Sequence, residues 1–503
     1  MPEQEEPGEG LASFLTRHPA PPGDPVLHWK DGSLTLAELT AATRELAYRL
    51  GPVERRPVAC VVDAGADAVV AMFATWLAGG VYVPVNARLR DAEVRDQLAA
   101  TEPEAVIVSA GQEDRVPPGL TRLVGQGNGT WTAHPASARP SGPALPDGAA
   151  IIVRTSGTTG ASKAVVLTHA GVRDGIDTVI AKLRSGRAGE GRGDRPPMPN
   201  LIPASLALWA GIWNTLFAFR LGAPAVLLDR FDPVDFAALV RRFGIRSSIL
   251  APAMMTMLAD DPRVTDLAPL RMVRSVTAPL PPAQARRFRD RFGVAILNSY
   301  GQTELGGEVA GWTAADAREF GDAKLGAVGR PHPGVAVRIL DEASRDVPSG
   351  EVGEIWIRSS FRTGDGQIEE GRLADGFLRT GDLGRLDADG FLWIEGRVSD
   401  MVNRGGLKIV PQEVEEVLRR HPQVADACVA GVPDERLGEV PVAWVRPRPG
   451  EAPDADALLA AVRESLAGYK VPVAVRFVDD FPRNEIGKVL RRELAAGYGT
   501  GER

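Results

Sequence analysis

Short runs that are apolar at almost every position recur along the chain, separated by helix-like segments, and this alternation limits the folds open to it. The runs are "PVACVVDAG", "GVYVPVN", "AVIVS", "GAAIIVRTS", "APAVLLDR" and "RSSILAP". A strand without a polar face must be covered on both sides, as in parallel sheets flanked by helices. Between the runs, Thr35 with Glu38 reads as a capping box that opens an amphipathic helix carrying Leu36, Leu39, Leu46 and Leu50. A second helix is expected over Ala68 to Ala78, ending at Gly79-Gly80. The expected fold class is α/β, with a large N-terminal domain of mainly parallel sheets covered by helices.

The C-terminal part has a different texture. After "FLWIEGRVSDMVNRGG" come a helix "PQEVEEVLRRH", strands "VADACVAGV" and "VPVAWVRP", a helix "DADALLAAVRESLAG" and a strand "VAVRFVDD". These make a small α+β unit of about a hundred residues, within the usual domain size. The expected organisation is a disordered tail over 1–10, a core domain over 11–397 and a small mobile C-terminal domain over 398–503, with the boundary at Arg397 to Asp400. Residues 185–199, "SGRAGEGRGDRPPMP", read as a mobile surface loop.

Charge and cysteine content exclude several classes. A formal net charge of −7 over 503 residues offers no basic footprint for nucleic acid or an anionic membrane surface. Cys60 and Cys428 lack metal-type spacing, and the acidic N-terminus has no apolar core, so a cytoplasmic protein is expected.

The chemistry begins at 155–163, "TSGTTGASK". Glycines free backbone N–H groups, hydroxyls add donors and a lysine adds counter-charge, which together suit phosphate oxygens. A P-loop needs its lysine directly after the last glycine, whereas Ala161 and Ser162 separate Gly160 from Lys163. Alone, the stretch reads equally well as a surface turn. Three further stretches decide the matter: "NSYGQTE" at 298–304, read as a turn after the strand "VAIL"; "GFLRTGDLGRLDADGFLWIEGR" at 376–397; and "FPRNEIGKVLRREL" at 481–494. In order and spacing the four motifs resemble those of the adenylate-forming superfamily of acyl-CoA synthetases, peptide-synthetase adenylation domains and beetle luciferases, over about residues 10–495.

The resemblance implies a site. Thr155, Ser156, Gly157, Thr158, Thr159, Gly160 and Lys163 would hold the β- and γ-phosphates of ATP. Tyr300 would stack on adenine, with the backbone around Ala278 and Pro279 on the other side. Thr303 would touch the α-phosphate, Glu304 would bind Mg2+, and Asp382 and Arg397 would hold the ribose. Lys488 would be the catalytic cation, carried on a domain that swings about Ser399 and Asp400 and leaves room for coenzyme A in the second half-reaction. Most relatives have Asp or Lys where Ser399 stands, and Pro and Gly where Ser162 and Ala164 flank the lysine.

The acid is constrained by departures from the family pattern. "IPASLALWAGIWNTLFAF" lacks the usual gate histidine, and no Asp stands between Leu201 and Leu221 to pair with an α-ammonium. A glycine-rich turn that bounds the acyl pocket in relatives reads "SVTAP" here. The expectation is a compact aryl, alicyclic or short carboxylic acid in a pocket containing Trp209, Asn214, Val276, Thr277 and Asn298. "VNRGGLKIVPQEVEEVL" and "LAGYKVPVAVRFVDDFPRN" resemble free-standing acyl-CoA ligases, which makes CoA the expected acceptor. Loading of a separate acyl carrier protein, thioesterification of a supplied acyl-adenylate, and a non-catalytic binding role are the alternatives. A homodimer stays open as the assembly.

Overall fold

The computed structural model describes residues 10–62, 65–126, 130–135, 144–156, 162–185, 197–228, 230–361, 371–483 and 489–498. The apolar runs form strands as expected, in two large, mainly parallel sheets. In the nine-stranded sheet the order is Arg330–Pro331, Gly307–Gly311, Ala295–Gln302, Met272–Ser275, Ser247–Leu250, Asn200–Ile202, Ala225–Leu227, Pro25–Trp29 and Gly32–Thr35. The seven-stranded sheet has Pro57–Val61 at its centre, parallel to Val81–Pro84 and Ala105–Ser109. Every residue of Pro57–Val61 and Val81–Pro84 is buried, which is why those strands show no polar alternation.

Helices fill the space around these sheets. Ala66–Leu77 is buried along nine consecutive residues from Ala68 to Trp76, so an apolar stretch too short for a membrane span becomes a core helix. Leu36–Leu50 opens on the expected capping box: the Glu38 N–H donates to Thr35 Oγ1 at 3.2 Å, and the Thr35 N–H donates to Glu38 Oε2 at 2.8 Å. Such a cap contributes about 1 kcal/mol. No described helix is long and apolar enough to cross a membrane.

A third sheet is antiparallel and joins Ala336–Leu340, Gly353–Arg358, Leu373–Ala374, Phe377–Leu386 and Leu392–Arg397. A fourth contains Val402–Arg404, Leu407–Ile409, Val424–Asp434, Gly438–Pro447 and Ala474–Phe477, covered by helices Pro411–Arg419 and Ala455–Ser465 with its own apolar core. Its polar anchor is Arg491, which donates to the buried Glu415, to Val429 O at 2.7 Å and to Cys428 Sγ at 3.3 Å. The thiols of Cys60 and Cys428 are free and buried. Residues 1–9 and most of the 185–199 segment lie outside the described residues.

Candidate active site

"NSYGQTE" is not a turn throughout. Asn298 to Gln302 continue the strand Ala295–Gln302, and only Thr303–Leu305 turns, as a short 3-10 segment. The strand then doubles back through Gly307–Gly311, with a register shift at Tyr300/Gly301. Close approach explains why polar and glycine residues form a strand here: a Cβ on Gly301 would lie 2.1 Å from Gly307 O. The hairpin is braced from below. Arg274 Nη1 donates to both oxygens of Glu308 at 2.9 and 2.7 Å, and His332 Nε2 lies 3.0 Å from Glu308 Oε1. Burial alone would raise the Glu308 carboxyl, but Arg274 and His332 hold it down at about 2. Lys182 Nζ donates to Gly311 O at 2.6 Å and Arg330 O at 2.7 Å, and burial pushes its ammonium down to about 8.

That platform presents Tyr300 to the third sheet. Tyr300 donates its hydroxyl to Asp382 Oδ2 at 2.6 Å, Gln302 Nε2 donates to the same oxygen at 2.7 Å, and Arg397 Nε donates to Asp382 Oδ1 at 2.7 Å. Asp382 is 5% exposed, and burial beside its carboxylate pushes the Tyr300 phenol well above its ordinary value, which keeps the donor protonated. A carboxylate accepts about four hydrogen bonds, so three donors leave capacity for a ligand hydroxyl. Residues from two sheets thereby bring an aromatic ring, a carboxylate and a guanidinium together, which fits a nucleoside. Gln302 was not anticipated. Its signal was present, since it stands two residues from Tyr300 and alternate strand residues share a face.

Thr303 and Glu304 are half-buried at the turn, where Arg372 Nη1 lies 3.8 Å from Glu304 Oε1. Among the described residues no group of three or more His, Cys, Asp or Glu side chains could hold a metal ion. One carboxylate still fits Mg2+, which binds through one or two carboxylates together with substrate phosphates. The phosphate motif opens from a hairpin: Ala149–Ser156 pairs antiparallel with Ser162–Thr168, setting Thr155 opposite Lys163 and Ser156 opposite Ser162. Gly157, Thr158, Thr159 and Gly160 lie outside the described residues, as does Lys488. Ser399 and Asp400 belong to the 3-10 turn Val398–Asp400, directly after Arg397, and the Ser399 hydroxyl donates to Asp400 Oδ1 at 3.2 Å.

The expected pocket residues take varied positions. Thr277 is exposed at φ +74°, a left-handed conformation that a β-branched residue rarely adopts, between half-buried Val276 and Ala278. Pro279 is exposed. Asn298 is 4% exposed, and its Oδ1 accepts from the Ser299 N–H at 3.1 Å. Asn214 is half-buried and donates back to Ala210 O at 2.8 Å within helix Trp209–Arg220. Trp209 is half-buried at the start of that helix, and the buried Trp213 follows one turn later.

Known proteins are similar to this chain over most of its length. The profile of the AMP-binding enzyme family matches residues 15–363, and that of the AMP-binding enzyme C-terminal domain matches residues 413–488. The chain belongs to the AMP-binding enzyme family. It is 30% identical to an indoleacetate–CoA ligase of Aromatoleum aromaticum, over 96% of this chain and 97% of the relative. It is also 30% identical to the fatty acid–[acyl-carrier-protein] ligase ScoC of Streptomyces coeruleorubidus, over 96% and 94%. The solved O-succinylbenzoate coenzyme A synthetase MenE from Bacillus subtilis, in complex with ATP and magnesium ion, superposes with a TM-score of 0.80 at 26% identity, over 98% of this chain and all of that one. As a member of this family the chain is an enzyme, an AMP-forming acid–thiol ligase.

Proposed function

We propose that the protein is an acyl-CoA ligase that activates a compact aryl, alicyclic or short carboxylic acid as its acyl-adenylate and then passes the acyl group to CoA. The observation that carries this reading is the hydrogen-bonded set of Tyr300, Gln302, Asp382 and Arg397 beside the Thr303–Glu304 turn.

In the first half-reaction a carboxylate oxygen of the acid bonds to the α-phosphorus of ATP, the α–β P–O bond breaks and pyrophosphate leaves. Asp382 accepts from the ribose hydroxyls, Arg397 donates to the same sugar, and the Tyr300 ring covers adenine, with the backbone around Ala278 and Pro279 on the other side. Thr303 contacts the α-phosphate, and residues 155–163 hold the departing phosphates. Glu304 would hold Mg2+, whose charge neutralises the phosphates. Lys488 supplies the cation between the attacking carboxylate and the α-phosphate, stabilising charge that develops in the transition state.

In the second half-reaction the thiol sulfur bonds to the acyl carbon, the bond to the AMP oxygen breaks and the thiol proton passes to solvent. Rotation of residues 398–503 about Ser399 and Asp400 takes Lys488 away and admits the thiol arm. The ligation of CoA by the Aromatoleum relative supports CoA as the acceptor. A second reading, loading of a separate carrier protein, is favoured by ScoC, named for that activity.

The test is ATP–pyrophosphate exchange across aryl, alicyclic and short acids, followed by addition of CoA or a holo-carrier protein. Acid-dependent exchange with thioester formation on CoA is expected. Absence of exchange, with CoA still consuming a synthetic acyl-adenylate, would reduce the enzyme to the thioesterification step; absence of both would sink the ligase reading.

A further inference from the structure

Helix His169–Ser185 begins where the phosphate hairpin ends. Its first residue directly follows strand Ser162–Thr168, which carries Lys163, and the Gly171 N–H donates back to Thr168 Oγ1 at 3.0 Å. The helix is about 25 Å long at 1.5 Å per residue. Gly175 and Lys182 stand seven residues apart on it, two turns of helix, and so share a face. A Cβ on Gly175 would lie 3.6 Å from Gly306 O, and Gly306 closes the Thr303–Leu305 turn, its N–H donating to Thr303 O at 2.9 Å. Near the far end, Lys182 Nζ reaches two strands at once, donating to Gly311 O at 2.6 Å and Arg330 O at 2.7 Å. Gly311 and Arg330 are a register pair, and Gly311 stands opposite Ser299, the neighbour of Tyr300. One helix thus joins the strand of the phosphate motif, the turn of Thr303 and Glu304, and the strand pair behind Tyr300.

An ammonium is a poor choice for packing alone. Lys182 is 9% exposed, and removing its charge from water is costly unless its hydrogens find acceptors. Among the described residues it is faced by Glu308 on Gly307–Gly311, Asp316 on helix Ala314–Phe320, Arg274 on Met272–Ser275, Arg330 on Arg330–Pro331, and His332 just beyond. The two carboxylates are shared with other cations, Glu308 with Arg274 and His332, and Asp316 with Arg330 Nη1 at 2.5 Å. The two arginines oppose the ammonium, and burial lowers the His332 imidazole and keeps it neutral. Burial outweighs the carboxylates and brings Lys182 to about 8, so the bond to both carbonyls is charge-assisted at neutral pH and weakens in mild alkali.

We infer that Lys182 is a positioning residue for ATP: by tying the far end of helix His169–Ser185 to the carbonyls of Gly311 and Arg330, it sets the phosphate hairpin against the hairpin of Tyr300, Thr303 and Glu304, so that triphosphate and nucleoside are held in one register. This inference rests on the ligase reading above and gives Lys182 no contact with the nucleotide. Groups fixed in one arrangement bind a ligand without the cost of ordering them first. Unlocking the helix therefore penalises a ligand that spans both hairpins and spares one that occupies only the nucleoside side. ATP spans both, whereas AMP lacks the β- and γ-phosphates.

The test is calorimetric titration of the full chain with MgATP and with AMP at about pH 7 and about pH 9, on either side of the Lys182 transition, and it needs no knowledge of the acid. The wild type is expected to bind MgATP at least about fivefold more weakly at the higher pH, with AMP changing by less than about twofold. Lys182→Met should bind MgATP at least about fivefold more weakly than the wild type at neutral pH, lose the pH shift and leave AMP within about twofold. Lys182→Arg, charged at both pH values, should lose the shift while keeping more of the MgATP affinity than Lys182→Met does. Equal weakening of MgATP and AMP, unchanged MgATP affinity in folded Lys182→Met, or a pH shift that persists in it overturns the inference. If thermal melting shows that Lys182→Met does not fold, the wild-type comparison of MgATP with AMP across pH decides. AMP binding with MgATP affinity indifferent to Lys182 removes this inference alone, whereas a wild type that binds neither nucleotide removes the ligase reading with it.

Discussion

Asp382 and Arg397 face each other across two antiparallel strands, with Arg397 Nε 2.7 Å from Asp382 Oδ1. Fifteen residues separate them in sequence, and the hairpin register makes them direct neighbours on one face. Arg397 is also the last residue of its strand, immediately before the Val398–Asp400 turn. The ion pair therefore fixes the carboxylate proposed to read ribose and sets the starting geometry of the proposed hinge. Removing the guanidinium leaves a buried carboxylate with two neutral donors.

Arg397→Met should raise the KM for ATP and lower kcat/KM by roughly 10- to 100-fold, as expected for loss of a charge-assisted hydrogen bond of about 1.5–3 kcal/mol. Arg397→Lys should recover only part of this, because one ammonium cannot reproduce the planar fork. Steady-state kinetics in ATP provides the check. An unchanged KM in Arg397→Met would remove this residue from the nucleotide site.

Lys488→Ala should cut adenylation by at least about 100-fold, the scale of one transition-state cation or oxyanion donor, and leave thioester formation from preformed adenylate nearly intact. Pyrophosphate exchange and CoA consumption, measured on one preparation, separate the two steps. Equal losses in both would contradict a lysine that serves only the first half-reaction.

Thr277 holds φ +74° in the turn before Ala278 and Pro279. A β-branched residue in that region stores about 1–2 kcal/mol, partly offset in a glycine variant by the freedom glycine regains on unfolding. Thr277→Gly should thus stabilise the fold by up to about 1 kcal/mol and open the neighbouring pocket to longer acids. Urea unfolding and an acid-length series read both effects, and a lower midpoint would show that this backbone is not strained.

Glu308 supplies a pH test of the brace beneath Tyr300. Its folded carboxyl lies at about 2, below the ordinary 4.5, so the unfolded chain binds more protons through that interval. The stabilisation is complete above about pH 5 and fades as pH falls toward 2; over the whole interval it amounts to about 3 kcal/mol. The stability difference between wild type and Glu308→Gln should shrink by about 2 kcal/mol from pH 7 to pH 3. A constant difference across that range would mean that Arg274 and His332 do not hold the carboxylate ionised.

Local chemistry carried much of this protein in plain sight. Uniformly apolar runs dictated buried parallel strands, Thr35 and Glu38 dictated a helix start, and the order of four polar motifs placed the chain in its family, because each signal is written in neighbouring residues. Other features depend on partners far away in sequence. "NSYGQTE" looks like a turn by composition but is held in a strand by Gly307–Gly311, where glycine permits backbone contact that sequence alone does not reveal. Gln302 joins Asp382 only because two sheets meet at that point. Trp213 reads as one more apolar residue of a core helix until packing sets its Nε1 against Gly307 with no acceptor. Sequence determined which elements form and which chemistry they carry, through propensity and motif. Tertiary structure decided which donors and acceptors are satisfied, because hydrogen bonding between distant strands and helices is settled only when they pack.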